Sequence, residues 1–329
     1  MADLAVIILT YNESIHLERA IRHIKHLAKE IFVVDSFSTD STIEIAKSHG
    51  AIVLQNRFIN QAKQFQWAME NAPITSSWIM RLDADEIIES DLSDEISSKL
   101  PTLPSDVTGV NLRRKLVFMD RTINYGGRGI LVLMRIWRRG CAEIEDRWMD
   151  EHIVLREGRT VTFVGGFSDH NLNNLSSFTD KHNKYATREA IDVLNQRLRF
   201  MPRPGSMSVK RNSLQAAAKR YIKEEIYNGI PFQISSVAYF LYRYIIKLGF
   251  LDGKEGLIYH VLQGFWYRFL VGAKIYELQR SISHLARPED IRAELQRVTG
   301  LNLSPMPTPE EQLSSKPAPD EKSTVSISG

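Results

Sequence analysis

The stretch SWIMRLDADEIIES, residues 77–90, places two carboxylates, Asp83 and Asp85, directly after an apolar run. Like charges at this spacing repel each other, and burial of either one is costly. A divalent cation would resolve the conflict, because carboxylate oxygens suit Mg²⁺ or Mn²⁺, which proteins hold by one or two carboxylates together with substrate phosphates. A solvated turn that opens the next helix, at 89–100, would resolve it equally well. The residues of this stretch alone leave both interpretations open.

The chain around this stretch alternates strand and helix signals. Short continuous apolar runs predict buried strands, and stretches with apolar residues at helical spacing predict the helices between them. The strands are expected at 4–9, 31–34, 51–54 and 77–82, and the helices at 13–26, 41–49 and 60–71. Such strand–helix–strand repeats predict an α/β fold with a mostly parallel, doubly wound sheet and flanking helices.

Polar residues follow each of the four predicted strands. In sheets of this type, ligands bind outside the carboxyl ends of the strands. We therefore expect these residues to line one crevice. They are Thr10, Tyr11, Asn12, Glu13, Asp35, Ser36, Asn56, Arg57, Asp83 and Asp85. Neither GxxxxGK[ST] nor GxGxxG is present, so a nucleotide would be held by side chains rather than by a glycine-rich loop.

The composition excludes several classes of protein. A net charge of +3 over 329 residues does not indicate a general polyanion binder, and no nucleic-acid motif accompanies the basic segments. The single cysteine, Cys141, has no internal disulfide partner, which fits a reducing compartment. The first residues lack the basic and long apolar regions of a signal peptide, and no run of ~20 apolar residues predicts a clear spanning helix.

The rest of the chain changes character twice. Residues 104–169 carry shorter strand signals, and the segment 192–224 holds eight basic residues and no acid between its ends. An aromatic, apolar region follows, and the residues after 303 are rich in Pro, Ser and charge, which predicts disorder. We expect a catalytic domain at 1–225, an amphipathic aromatic helical region at 226–285, and a helical end with a disordered tail at 286–329.

Several segments together resemble the family-2 glycosyltransferases of the GT-A fold. The segments are ILTYNES (8–14), VVDSFSTDST (33–42), NQAKQFQWAME (60–70) and RLDADE (81–86). Three later segments are similar to a bacterial subgroup that builds lipopolysaccharide core, capsule and exopolysaccharide. They are WMDEHI (148–153), DHNLNNLSSFTDKHNKYATREA (169–190) and LGFLDGKEGLIYHVLQGFWYRFLVGAKIYE (248–277). The resemblance covers roughly residues 4–277.

The resemblance implies a role for each matched position. The residues that would bind a nucleotide-sugar donor, with UDP the commonest nucleotide, are Thr10, Tyr11, Glu13, Asp35, Asp40, Lys63, Asp83 and His170. The pair Asp83 and Asp85 matches the DXD motif that binds Mg²⁺ or Mn²⁺, with Asp85 as the direct ligand. The acidic element of the family stands here as Asp150-Glu151-His152, in an order that differs from the common one.

The chemistry of sugar transfer requires a base. Displacement of a nucleoside diphosphate from an anomeric carbon passes through an oxocarbenium-like state, and the attacking hydroxyl loses its proton to a carboxylate within reach. Asp150 is the first candidate for this catalytic residue and Glu151 the second. The alternative is that the segment EIEDRWMDEH, 143–152, is an acidic surface loop.

The C-terminal region carries signals for a membrane surface. Leu257, Val261, Phe265 and Phe269 fall on one helical stripe, and aromatic residues beside basic ones suit a membrane interface. The basic segment 192–224 would attract anionic headgroups. The alternatives are a spanning helix in the uncharged stretch between Glu225 and Arg243, and an ordinary helical subdomain that packs its stripe on the catalytic core.

These observations lead to one predicted function and two alternatives. We expect a metal-dependent, inverting glycosyltransferase, cytoplasmic and peripheral on the inner face of the bacterial inner membrane, that acts on a lipid-linked or lipopolysaccharide acceptor. The first alternative is a Mg²⁺-dependent phosphotransferase or phosphohydrolase built around Asp83 and Asp85. The second is a membrane scaffold that binds nucleotide-sugars without turnover.

Overall fold

The computed structural model describes residues 1–144, 153–201 and 230–303 of the chain. The predicted catalytic acids Asp150 and Glu151 lie outside these residues. So do the predicted domain boundary at 225, six of the eight basic residues of the segment 192–224, and the predicted disordered tail.

The N-terminal half forms the strand–helix–strand pattern that the sequence predicts. The first strands are β1 (Ala2–Thr10), β2 (Ala28–Asp35), β3 (Ile52–Gln55), β4 (Trp78–Asp83) and β5 (Glu86–Ile88). The helices between and after them are α1 (Ser14–Ile24), α2 (Thr42–Ser48), α3 (Gln61–Asn71) and α4 (Ser90–Lys99). Each predicted helix is confirmed to within two residues, because periodicity and local start and stop signals determine its position.

The region 104–169 is β-rich, as predicted. Its strands are β6 (Val107–Phe118), β7 (Arg121–Thr122), β8 (Ile130–Arg138), β9 (Ala142–Ile144), β10 (Ile153–Leu155), β11 (Arg159–Thr162) and β12 (Phe167–His170). Strands β9 and β10 form a separate antiparallel hairpin.

The main sheet has the strand order β3-β2-β1-β4-β8-β6-β12-β5, with β7 and β11 also paired to β6. Its first four strands are parallel, as the crossover helices require, and β8 then pairs antiparallel with both β4 and β6. The mixed α/β architecture is thus confirmed: β1–β4 form the parallel, doubly wound part, and β11 and β12 also pair parallel with β6.

Strand β1 lies at the centre of the parallel part, and its two faces are covered by two apolar clusters. Val6 and Ile8 pack with the inner face of α1, whereas Ala5 and Ile7 pack with α3 and with Trp137 of β8. Because both faces of this strand pack against apolar side chains, neither face accommodates polar residues, which explains the continuous apolar run at 4–9.

The remaining helices belong to the C-terminal part. They are α5 (Leu175–Leu198), α6 (Phe232–Leu241), α7 (Gly253–Tyr259), α8 (Tyr267–Ile282) and α9 (Pro288–Thr299). Helix α6 continues into a π-helical turn, Tyr242–Ile246, and a second π-helical stretch, His260–Trp266, joins α7 to α8. One apolar cluster joins α5 to α8 and α9 through Leu194, Leu278 and Leu295.

Within the described residues, every single helix is too short or too polar to cross a membrane. One bent pair of helical segments, Phe232–Ile246 and Gly249–Ile282, which meet at 72°, reaches the required length and composition together.

Candidate active site

The predicted polar residues meet at one edge of the sheet. In the strand register, Thr10 of β1 stands opposite Asp35 of β2, and Asp35 stands opposite Gln55 of β3. On the other side of β1, Leu9 stands opposite Asp83 of β4. The carboxyl ends of the parallel strands therefore bring these side chains to a common edge, as the topology predicts.

Asp35 is fully buried and holds the ends of β1 and β2 together. Its carboxylate accepts hydrogen bonds from the Thr10 hydroxyl at 3.1 Å, from the Ser38 backbone N–H at 2.8 Å and from the Ser38 hydroxyl at 2.5 Å. These contacts fix the loop after β2 against the end of β1. Asp35 and Thr10, both predicted to bind the donor, thus lie buried at the adjacent ends of β1 and β2.

Asp40 joins the starts of two helices. Its carboxylate accepts from the backbone N–H of Ser14, at 3.2 Å, and from the backbone N–H and hydroxyl of Thr42, at 3.0 and 2.5 Å. Burial raises the pKa of Asp40, but the hydrogen bonds from Thr42 and Ser14 outweigh it, and the pKa lies below its ordinary value. Asp40 thus stabilises the orphan N–H groups of α1 and α2.

Glu13 is positioned by a buried histidine. The Nε2 of His16 accepts from the backbone N–H of Leu172 at 2.9 Å, so its Nδ1 carries the proton and donates to Glu13 Oε2 at 2.7 Å. This bridge ties the 171–174 loop to α1. Tyr11, by contrast, is 60% exposed, and Lys63 is half-buried on the first turn of α3.

Asp83 is paired with arginines of the sheet. Its carboxylate accepts from Arg81 Nε at 3.3 Å and from Arg135 Nη2, on β8, at 3.2 Å. Burial raises the pKa of Asp83, but Arg81, Arg135 and Arg114 outweigh it and hold that pKa well below its usual range. The neighbouring Glu86 is buried and also pairs with Arg135 and Arg114.

Asp85 points away from this network. Its carboxylate accepts from the Asn171 amide at 2.8 Å, and its backbone carbonyl accepts from the N–H of His170 at 2.9 Å. Strand β12 places Asp169 in register with Glu86, next to Asp85. The two predicted metal ligands are therefore in different surroundings: Asp83 is neutralised by arginines, and Asp85 faces the end of β12.

Asp169 is the second acid beside Asp85. Burial, followed by the negative charge of Asp85, raises the pKa of Asp169 to about 6, even though Arg114 lies 3.5 Å away. The ammonium of Lys181, on α5, is within electrostatic range of both carboxylates. Two close acids of this kind are stabilised by a cation between them.

His170 closes the side of the site that faces α1. Its Nε2 lies 2.9 Å from Asp120 Oδ1, its Nδ1 lies 3.4 Å from Arg19 Nη1, and its backbone carbonyl accepts from Arg19 Nη2. Because the guanidinium is a donor only, Nδ1 of His170 accepts and Nε2 carries the proton to Asp120. Arg19 thereby brings a positive charge to the rim of the acidic site.

The donor set around Asp85 fits a divalent cation. Carboxylate oxygens of Asp85 and Asp169 are hard ligands, and a cation between them would offset both the burial and the repulsion from Asp85 that raise the pKa of Asp169. Across the described ranges, no group of three or more His, Cys, Asp or Glu side chains is arranged to hold a metal ion. Mg²⁺ ions held by one or two carboxylates complete their coordination with waters and substrate phosphates.

The residues of this site that escaped the sequence analysis include Asp169, Arg19, Arg114, Arg135 and Lys181. Asp169 stands beside His170 in SDHN at the end of a strand, a position that the strand-end rule covers. Arg135 is a charge inside the otherwise apolar strand ILVLMRIW, and a buried charge requires a partner, whereas Arg114 stands in the run RRK, 113–115, where no such pattern distinguishes it. The signal at Arg135 was present, although the identity of the partner required the sheet order.

Comparison with known proteins finds similarity over less than half of the chain. Residues 5–152 match the model of the family described as Glycosyl transferase family 2. An uncharacterized glycosyltransferase of Rickettsia prowazekii (strain Madrid E) is 36% identical over 96 residues, which cover 29% of this chain and 32% of that protein. An uncharacterized glycosyltransferase of Rickettsia bellii (strain RML369-C) is 40% identical over 93 residues, 28% of this chain and 31% of that protein. The segment 5–152 is thus similar to family-2 glycosyltransferases, the class that the sequence predicts.

The present chain spans about a third of the length of these curated relatives. Among solved structures, glucosyl-3-phosphoglycerate synthase from Mycobacterium tuberculosis, in complex with Mn²⁺, UDP and glucosyl-3-phosphoglycerate, is similar at 18% sequence identity. The TM-score is 0.29, over 34% of this chain and 43% of that chain. An overlap of this size assigns neither a donor nor a metal to the present chain.

Proposed function

We propose that this protein is a metal-dependent, inverting glycosyltransferase that moves a sugar from a nucleotide-sugar to a lipid-linked or lipopolysaccharide acceptor. One observation carries the proposal: within a chain that matches family 2, Asp85 and Asp169 lie together at the carboxyl ends of the strands. This is the edge at which an open α/β sheet binds its ligand.

The donor would bind between the ends of β1 and β2. Tyr11 is exposed there and offers a ring on which a base can stack, and Asp35 and Thr10 lie beneath it. Glu13, held by His16, faces the same edge, and Lys63 offers a positive charge from α3. UDP is the nucleotide that we propose, because it is the commonest in enzymes with these motifs.

The diphosphate would lie over Asp85. When bound by Asp85, with Asp169 and Asp83 close by, Mg²⁺ or Mn²⁺ would supply positive charge to the leaving diphosphate. The chain adds its own cations at the same place, because Arg19 and Lys181 lie within electrostatic range of Asp85. The ring Nδ1 and the backbone carbonyl of His170 both accept from Arg19, which holds the Arg19 guanidinium at this rim.

Transfer with inversion needs one base. The acceptor oxygen forms a bond to the anomeric carbon while the bond to the diphosphate oxygen breaks, and the acceptor proton passes to a carboxylate. We assign that carboxylate to Asp150, with Glu151 as the second candidate. Both follow the hairpin strand β9 in the chain and lie outside the described residues.

The acceptor side would meet a membrane. Helix α6 and its π-helical turn expose Val237, Leu241 and Ile245, which are spaced four residues apart and so share one face. Of the stripe predicted in the sequence, Leu257, Val261 and Phe269 are also exposed. Apolar stripes on the outside of helices suit the interface of a bilayer, here the cytoplasmic face of the inner membrane.

Transfer of a radiolabelled sugar from UDP-sugars to lipid extracted from bacterial membranes tests the proposal. Asp85→Ala is expected to abolish transfer, because it removes the direct cation ligand. Asp150→Asn is expected to keep donor binding and stop transfer. The control is Asp94→Ala, an exposed acid on α4 that should leave transfer unchanged.

Three outcomes would contradict the proposal. Full sugar-transfer activity of the Asp85→Ala variant would show that transfer does not depend on a metal bound by Asp85. Donor binding without product from any acceptor would favour a scaffold, and phosphate release from simple phosphate esters would favour a phosphohydrolase.

A further inference from the structure

The loop that joins β7 to β8 is held by the C-terminal helices. The carboxylate of Asp252 accepts from the backbone N–H groups of Asn124 and Tyr125, at 3.1 and 2.9 Å. The backbone carbonyl of Lys247 accepts from the N–H of Gly126 at 2.9 Å. These bonds fix the position of the segment 124–129 against the start of α7 and the π-helical turn after α6.

A buried arginine lies under this loop. Arg243 is 2% exposed, and its Nε donates to the carbonyl of Gly126 at 2.8 Å. Its two terminal nitrogens have no hydrogen-bond partner within the described residues. Its guanidinium carbon lies 5.7 Å from the ring centre of Tyr239 and 5.6 Å from that of Tyr259. A buried cation held by rings and one carbonyl lacks the anion that usually accompanies it.

Two further arginines surround the same tyrosine. The guanidinium of Arg268 lies 3.7 Å from the ring centre of Tyr239, and Arg128, on the loop, is exposed to solvent. Burial raises the pKa of the Tyr239 phenol, but the charges of Arg268, Arg243 and Arg128 outweigh it and lower that pKa. Arg128 is exposed and Arg268 is partly exposed, so an anion can approach these two guanidiniums, with Arg243 buried beneath them. We call Arg128, Arg243 and Arg268 the arginine cluster.

The surface beside the arginine cluster is apolar. Tyr239 lies on α6, and Tyr242 and Ile246 of the π-helical turn that follows, three and seven residues further on, are 46% and 68% exposed. On the other side, Ile130 and Leu131, which follow the loop directly, are 49% and 45% exposed. A ligand that satisfies both features carries negative charge at one end and hydrocarbon at the other.

We propose that the arginine cluster binds the phosphate group of a membrane lipid. A guanidinium group can donate two parallel hydrogen bonds to two oxygens of one phosphate. The flanking apolar side chains would contact the acyl region of the lipid. Arg128 would meet the phosphate from the solvent side, and Arg243 would supply charge from beneath. The proposal rests on the proposed function only in that a lipid-linked acceptor would be held at the same membrane surface.

Vesicle co-sedimentation of the full chain tests this site without any donor or transfer. The vesicles are phosphatidylcholine alone and phosphatidylcholine with phosphatidic acid, each with and without millimolar inorganic phosphate. The variants are Arg128→Glu, the conservative Arg128→Lys, and Lys47→Glu. Lys47 is exposed on α2, which packs on α1 and β3, and its variant carries the same change of charge as Arg128→Glu.

The wild type is expected to bind the vesicles with phosphatidic acid and not those of phosphatidylcholine alone. Arg128→Glu should weaken binding about tenfold, in line with loss of a charge-assisted contact and addition of a repulsive one. Arg128→Lys and Lys47→Glu should stay within about threefold of the wild type. Arg243→Gln, checked for folding by circular dichroism, should weaken binding as well.

Equal losses of vesicle binding in Arg128→Glu and Lys47→Glu would overturn the proposed lipid site, because they would show that net charge alone attracts the protein to the vesicles. Loss of vesicle binding in the presence of inorganic phosphate would overturn the assignment to a lipid and would indicate a site for free phosphate. Failure of the transferase assay would leave these vesicle results unaffected, so the two proposals are tested separately.

Discussion

Replacement of Gly126 by alanine tests whether the loop 124–129 and the C-terminal helices form one packed unit. Gly126 has φ +70°, and an added Cβ would lie 2.0 Å from Cε1 and 2.5 Å from Nε2 of His260. His260 is fully buried, so its ring has no free space to enter. The adjacent Gly127 has nearly the same φ, +72°, but an added Cβ would meet nothing within 4 Å. The two glycines therefore differ in packing and not in backbone strain.

The magnitudes follow from this difference. The left-handed backbone conformation is less favourable by about 1–2 kcal/mol for a residue with a side chain, and this cost applies to both alanine variants. The clash with a buried ring adds about 1–3 kcal/mol in Gly126→Ala only. We expect the free energy of unfolding to fall by about 2–5 kcal/mol in Gly126→Ala and by about 1–2 kcal/mol in Gly127→Ala.

Urea unfolding of the full chain at pH 7, followed by near-ultraviolet circular dichroism, measures both values. The double variant Gly126→Ala with His260→Ala should lose less than the sum of its single variants, because the ring that clashes is gone. Equal losses in the two glycine variants, or strict additivity in the double variant, would refute the packing of this loop on His260.

Two further predictions concern stability. Burial, then the charge of Arg243, lowers the pKa of His260 to about 4 from its ordinary 6.5, so the unfolded chain takes up a proton first as the pH falls. Stability should therefore drop by ~3 kcal/mol between pH 7 and pH 4 through this residue, and urea titrations of His260→Gln should show a correspondingly smaller drop. Asp40→Ala should cost ~1–2 kcal/mol, because the starts of α1 and α2 lose their hydrogen bonds to the carboxylate. Thermal unfolding compared with Asp94→Ala measures that loss, and equal values would contradict the capping role.

Local signals determined how much of the fold could be predicted. Each helix of the first hundred residues was predicted because its apolar spacing and its start and end residues are near each other in the chain. The antiparallel pairings of β8 with β4 and of β12 with β5 join residues about fifty to eighty apart. Pairings at that separation depend on packing of the whole sheet, and no local pattern records them.

In the candidate site, too, some features could be predicted from local sequence signals and others depend on residues far apart in the chain. The strand-end rule placed Thr10, Asp35 and Asp83 at one edge, and the structure confirms that placement. The sequence presented Asp83 and Asp85 as a pair, whereas arginines neutralise Asp83 and the end of β12 faces Asp85. That separation depends on arginines from other strands, so the pattern of acids alone could not predict it.

The π-helical stretches limit how well the sequence predicts which side chains share a face in the C-terminal helices. An apolar stripe read at 3.6 residues per turn assumes a regular helix, but the segment 257–269 contains the π-helical stretch His260–Trp266. Phe269 therefore packs against Phe232 of α6 while remaining partly exposed. The stripe was predicted, and its contacts with α6 were not.

The central claim, that Asp85 binds a divalent cation together with a nucleotide, is tested most directly by calorimetric titration. UDP, GDP and ADP are titrated into the full chain with and without Mn²⁺, and into Asp85→Ala and Asp94→Ala. The account predicts that one nucleotide, UDP, binds only with Mn²⁺, and that this binding is lost in Asp85→Ala and kept in Asp94→Ala. Binding of no nucleotide in either condition, or equal binding by Asp85→Ala and the wild type, would contradict it.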